Sequence, residues 1–378
     1  MTEVVLRGIT WNHDRGLGGF VATAGAWSER ERDVRVEWTT RSLQAFADEP
    51  VEVLAERFDL LVIDHPSIGH AVATGSFVPL DDHVDSTFLD DQATHSVGAS
   101  HRSYEWDGHQ WALAVDAASQ VAAYRPDLLE RAGATPPRTW DDVFELAGEG
   151  VPIALPSIPV DAACAFFGVS GAPDGQPPSR EGFLEALGLL RRILSVAHPE
   201  SLAWNPPTVF ERMATTDDVA YVPLAFCYSN YARPGYRSNV VRFAAPPGRG
   251  TLGGAGLAVS ARSRHVDEAV RYATFVADGE TQRTTYFEGG GQPGHRSSWS
   301  DASVNAASSG FFADTLGALD RAYLRPRHDG FLTYQERAAD TIHGWLRGAG
   351  DDADTVVSEL ERAYRDSVPI DAETGASA

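Results

Sequence analysis

The sequence predicts an α/β protein of two domains, each with its own core. Short apolar runs alternate with amphipathic stretches in the order β-α-β-α-β over residues 4–80, the pattern of a parallel sheet flanked by helices. One of those runs, Leu60–Ile63 (LLVI), is apolar without interruption, as an inner parallel strand covered on both faces would be. The chain has 378 residues, more than the ~250–300 at which a single hydrophobic core stops growing.

Each element has its own local reason. Residues 4–10 (VVLRGIT) form the first strand and 11–16 (WNHDRG) a polar, aromatic loop. A helix comes next over 17–32, with Phe20, Ala24 and Trp27 recurring on one face. Residues 34–40 (VRVEWTT) alternate strictly, which makes a half-buried strand. Ser42 can cap a helix reaching residue 55, with Pro50 as a break inside it. The inner strand leads into Asp64-His65-Pro66-Ser67 and a helix over 68–74. Residues 77–80 run to a turn at Asp81-Asp82, and 95–106 read as loop with one helical turn.

The stretch 111–142 joins the first domain to the second. Residues 111–115 (WALAV) are long enough for one buried strand, and Asp116 ends it. Residues 120–124 are apolar and β-compatible; 127–132 make a helical turn that Gly133 stops. Thr139 caps a helix over 140–147, whose first turn holds Asp141 and Asp142. Beyond it come a strand at 152–156, a Gly/Pro-rich loop at 173–178, helices at 180–194 and 209–215, and a strand at 219–226. An aromatic loop (SNYARPGY, 229–236), a strand at 240–244 and a Gly-rich strand at 252–260 precede a helix at 265–277 and a loop at 289–293. Helices at 311–322, 330–347 and 353–365 close the chain, and the tail 369–378 is expected to fray.

The residues Trp111-Ala112-Leu113-Ala114, Tyr124, Asp127-Leu128-Leu129, Gly133 and Pro136-Pro137-Arg138-Thr139-Trp140-Asp141-Asp142 occur in an order that resembles the extracellular solute-binding family 1 of carbohydrate ABC transporters. Those proteins carry a YALP crossover, a tyrosine strand, a DLL/DLF turn and a PPxTWDE helix start. Ala114 departs from the usual proline. LGGAGLAVS (252–260) and GGGQP (289–293) are similar to further family segments. The resemblance implies an α/β, two-lobed periplasmic-binding-protein-like fold with a hinge and an interlobe cleft. Lobe one would hold 1–115 plus 250–305, and lobe two 116–249 plus 306–378. It also implies capture of a small polar, carbohydrate-like ligand by a monomer that serves an ABC transporter permease.

Composition excludes other classes. There is no lysine, the formal net charge is −22 and the pI is about 4.8. A surface of that sign repels nucleic acid and anionic membrane, so neither is an expected partner. No apolar run approaches the ~18 residues of a membrane span. Met1-Thr2-Glu3 leads straight into the first strand without a leader pattern. The sequence as written therefore predicts a cytoplasmic location, and an extracytoplasmic one if translation starts further upstream. Cys164 and Cys227 sit in apolar surroundings and read as small buried hydrophobes. No metal-ligand spacing, cofactor motif or GxSxG is present, so no metal, cofactor or catalytic triad is expected.

In an open parallel sheet, ligands sit outside the carboxyl ends of strands. The loops there carry Trp11, Asn12, His13, Asp64, His65, Tyr228 and Tyr231, with Asp116 at the crossover. Aromatic faces and planar hydrogen-bonding groups are what a sugar or polyol requires. The alternative for the aromatics is loop-anchoring core. Asp116 could bind ligand or pair with a lobe-two Arg to fix the hinge, since a lone buried carboxylate is costly. Gly253 and Gln292 join the candidate contacts, although close backbone approach within a strand also explains Gly253-Gly254. Arg325, Arg327 and Tyr334 fall near a late helix, where a solvated Arg is the simpler reading. A second function stays open: an enzyme on the same scaffold, with Asp116 and His13 or His65 as acid and base.

Overall fold

The computed structural model describes residues 3–348 and 352–369. The chain forms two compact units, Met1–Ala118 with Gly253–Ala306, and Ser119–Leu252 with Ala307–Ala378.

In the first unit, strand β1 (Val4–Trp11) lies parallel to β2 (Val34–Arg41) over its whole length, from Val4 opposite Val34 to Trp11 opposite Arg41. On its other side β1 runs parallel to β3 (Leu60–Ile63), with Gly8 opposite Leu60. The Gly-rich strand Leu252–Val259 then pairs antiparallel with β3, and the start of the long strand Leu113–Tyr124 lies next in the sheet. Alternation decides the layers. Leu60 and Val62 face a core with Leu6, Phe20, Trp27 and Tyr272, whereas Leu61 and Ile63 face one with Ile9, Leu54, Ile68 and Tyr104. The sheet is thus covered on both sides, which is why β3 reads as a continuous apolar run. Gly8 lacks a side chain because the Trp38 ring passes 2.6 Å from where a Cβ would be.

The second unit pairs the far half of the long strand with Tyr221–Phe226 and Arg242–Ala244, both antiparallel. Its core is mostly helical: Pro159–Val169, Arg180–Val196, Phe331–Leu346 and Ala353–Ser367 bury Phe166, Phe167, Leu187, Ile342 and Leu360 together. Local chemistry sets the boundaries. Thr139 and Asp142 form a reciprocal capping box on Trp140–Gly148, and Gly133 ends Pro126–Ala132 in the left-handed region at φ 66°.

Several expectations are corrected. The two short strands read from 111–115 and 120–124 are one twelve-residue strand, Leu113–Tyr124, so Asp116 lies within it rather than at its end. The strand at 152–156 is reduced to a single bridge, Ile153 with Tyr221. Helix Pro159–Val169 carries no periodic signal because eight of its eleven residues are buried, leaving no polar face to mark. Helix Ser86–Thr94, with one buried residue, lacks an apolar stripe and is equally unmarked in the sequence. Arg325 is 2% exposed and donates to Gln335 Oε1 at 2.8 Å, so it is a core group and not a solvated one. Cys164 and Cys227 are both buried and no disulfide joins them. The tail expected to fray lies, from residue 370 onward, outside the described residues.

Candidate functional site

The parallel pairing of β1 with β3 puts the carboxyl ends of both strands on one edge of the first unit's sheet. Asn12 and His13 follow β1 there, and Asp64 and His65 follow β3. The antiparallel register brings the amino end of Leu252–Val259 to the same edge, Gly256 lying opposite Ile63. Gly254 holds φ +99°, and a Cβ on it would stand 2.3 Å from the Asp116 carbonyl oxygen, so only glycine lets these backbones meet. Gln292 donates from Nε2 to the Ala117 carbonyl at 2.7 Å, and Pro293 bridges to Asp116. One sheet edge therefore gathers Trp11, Asn12, His13, Asp64, His65, Asp116, Gly253 and Gln292.

Asp116 is 1% exposed and takes both oxygens to Arg15. Arg15 Nε donates to Oδ2 at 2.8 Å and Nη2 donates to Oδ1. Burial raises the Asp116 carboxyl, and the Arg15 guanidinium opposes that shift. A bidentate guanidinium–carboxylate pair is a strong, geometrically fixed contact. The ion pair expected at this residue is present, but its partner comes from the first turn of helix α1 (Asp14–Arg30) in the same unit, not from the second unit. An acid/base role for Asp116 is corrected by the same geometry, since both oxygens are occupied and shielded. Sequence reasoning misses Arg15 because an Arg in a helical first turn carries no periodic mark of burial.

The other groups divide by exposure. Asn12 is exposed and His13 half-buried. His13 caps α1, its Nδ1 accepting from the Arg15 amide at 3.0 Å, which places the imidazole proton on Nε2. Asp64, with 28% of its side chain exposed, accepts from the His65 amide at 2.9 Å. His65 is fully buried beside Tyr104. Trp11 is 3% exposed, packed on Phe46 at 5.0 Å with the Arg15 guanidinium 5.9 Å from its ring centre. The open aromatic platform expected of Trp11 is therefore corrected to a core ring beneath the edge. A shallow pocket of about 430 Å³, lined by Asn12, His13, Asp14, Leu17, Gly18 and Gly289 among others, opens beside His13.

Tyr228 and Tyr231 belong to the second unit, in the turn after Tyr221–Phe226. Both rings pack against Phe210, and the Tyr231 hydroxyl reaches Glu211 at 3.3 Å. Exposed by only 4% and 3%, they are anchors of that loop, the core alternative for aromatics. The second unit also hides a carboxyl that no sequence pattern marks. Asp161, in the first turn of Pro159–Val169, is pushed up to about 8 by burial. Among the described residues, one group of side chains is close enough to share a metal ion, Asp91 with His95 and His295.

The family model for bacterial extracellular solute-binding proteins matches residues 33–308. A search of curated protein sequences gives no match. Among solved structures, maltose-bound MalE3 of T. maritima is 16% identical, covering 96% of this chain and 99% of that one, with a TM-score of 0.82. An ABC transporter solute-binding protein of Agrobacterium radiobacter K84 in complex with ribitol is 20% identical over 96% and 98%, with a TM-score of 0.78. A third, from Agrobacterium vitis S4 with bound D-mannitol, is 16% identical over 99% and 100%, with a TM-score of 0.76. At these identities the likeness shows the fold, and that fold is periplasmic-binding-protein-like, as the sequence predicts.

Proposed function

Since this chain belongs to the bacterial extracellular solute-binding proteins, we propose that it captures a small polyhydroxylated solute, a sugar or polyol, at the carboxyl edge of the first unit's sheet. The observation that carries the reading is that Asn12, His13 and Asp64 stand at the carboxyl ends of the paired strands β1 and β3, on that one edge. These are planar donors and acceptors matched to hydroxyl groups. They stand on a floor fixed by the buried Arg15–Asp116 pair and the glycine contact at Gly254. The maltose, ribitol and mannitol held by the similar structures support the ligand class. Delivery to an ABC transporter permease, by a monomeric chain, belongs to the same proposal. Family membership favours an extracytoplasmic site of action, which fractionation of the source cells would test.

A thermal-shift screen of the full chain over sugars, polyols and sugar acids tests the ligand class, with calorimetry on any hit. Asp64→Asn and His13→Ala are expected to weaken the affinity roughly tenfold each, the worth of one hydrogen bond to a charged or well-placed group. The ligand recovered afterwards should be unchanged in mass. Stabilisation by amino acids or peptides and by no polyhydroxylated compound would overturn the ligand class. A chemically altered ligand would overturn simple capture.

A further inference from the structure

We propose that Asp91, His95 and His295 form a binding site for one divalent transition-metal ion, with zinc as the simplest occupant. Asp91 and His95 are four residues apart at the end of helix Ser86–Thr94, so both face the same side. Asp91 Oδ1 lies 2.9 Å from His95 Nδ1, and Asp91 Oδ2 lies 3.2 Å from His295 Nε2. The two imidazoles stack, with ring centres 4.7 Å apart and planes 24° from parallel. One ligand atom from each of the three residues falls within 4.8 Å of the others. An ion about 2.0–2.2 Å from each donor needs donors ~3–3.5 Å apart, so small side-chain rotations close the site.

The backbone already holds the partners in place. Ser96 forms an antiparallel bridge with His295, and the Arg296 amide donates to the His95 carbonyl at 2.8 Å. The Arg296 side chain adds a bond from Nε to the Ser96 carbonyl at 2.8 Å. Ser297 Oγ sits 2.7 Å from His295 Nδ1. The same Nδ1 accepts from the Ser297 amide at 3.3 Å, so Nε2–H faces Asp91 in this structure. An ion taking Nε2 would displace that proton, and with the proton moved to Nδ1 the Ser297 hydroxyl oxygen can accept it, the outer-sphere arrangement that orients a metal-bound histidine. A neutral imidazole is the ligand form. The Asp91 and His95 side chains are 46% and 43% exposed, which gives the ion a route in and leaves positions for water. Two nitrogens and a carboxylate suit zinc, nickel or copper, whereas calcium and magnesium prefer all-oxygen shells.

The experiment uses the full chain, stripped with chelator and titrated with Zn²⁺ by calorimetry. Co²⁺ absorption provides a second reading. The expected result is one ion per chain, with affinity weakened roughly tenfold or more in His95→Gln and in Asp91→Asn, and about tenfold in Ser297→Ala. His95 and Asp91 are exposed enough for those variants to fold. His83→Gln, at an exposed histidine, should bind as the parent does. No binding by the parent chain, or an affinity unchanged in both His95→Gln and Asp91→Asn, would overturn the site.

Discussion

Removing the Arg15 guanidinium leaves the Asp116 carboxylate, 1% exposed, without its counter-ion. Breaking a buried pair from one side typically costs ~3–5 kcal/mol, while replacing both partners with apolar groups is often neutral. Arg15→Met is therefore expected to destabilise by that amount in urea titration, and Arg15→Met with Asp116→Leu to recover most of it. An additive double variant would show that the two side chains do not act as a pair. Asp161 makes a pH prediction. Its folded pKa of about 8 lies above the ~3.9 of an unfolded aspartate. The folded state then holds a proton that the unfolded state has lost, so this residue lowers stability as pH rises from ~4 to ~8. Asp161→Asn should gain on the order of a few kcal/mol over the parent at pH 8 and little at pH 4. A difference independent of pH would show that the carboxyl ionises normally.

Among the elements, the Gly-rich strand Leu252–Val259 depends most on a single residue. Gly254 combines a positive φ with a backbone approach to Asp116 that no Cβ can share. Gly254→Ala should destabilise by about 1–3 kcal/mol from backbone strain, with more from the forced separation of the strands. Gly250→Ala offers a comparison, since its Cβ would stand 2.1 Å from the Gln120 carbonyl oxygen but its φ carries no penalty. If Gly254→Ala melts as the parent does, the close approach is not what holds the edge together. Helix α1 works the same way at its start. His13 spends its Nδ1 on the cap while standing at the carboxyl end of β1, so one residue both begins the helix and lies on the edge.

For the whole molecule, the family match and the fold agree that the chain is a solute-binding protein. A ligand that binds only the folded chain stabilises it by about 2.7 kcal/mol at a hundred times its Kd, which makes the solute screen sensitive even to micromolar binders. The net charge of −22, with arginine as the sole strong cation, disfavours anionic partners across the whole surface. A neutral polyol is indifferent to that field, and its recognition rests on local hydrogen bonds.

Sequence alone determined the β-α-β-α-β order of the first unit, the inner strand Leu60–Ile63, the caps at Thr139 and Gly133, and the strand ends that carry Asn12, His13 and Asp64. Each rests on short-range chemistry: periodicity, a cap, or a left-handed turn, all written within a few residues. Tertiary structure alone decided which polar residues are reachable. Trp11, His65, Asp116 and Gln292 share the edge with Asn12 but are buried in it, and no local pattern separates the two groups. Pairing across distance was equally hidden. Arg15 meets Asp116 across 101 positions, and His295 meets Asp91 across 204. The sequence places such partners nowhere near each other; only the register of packed strands does.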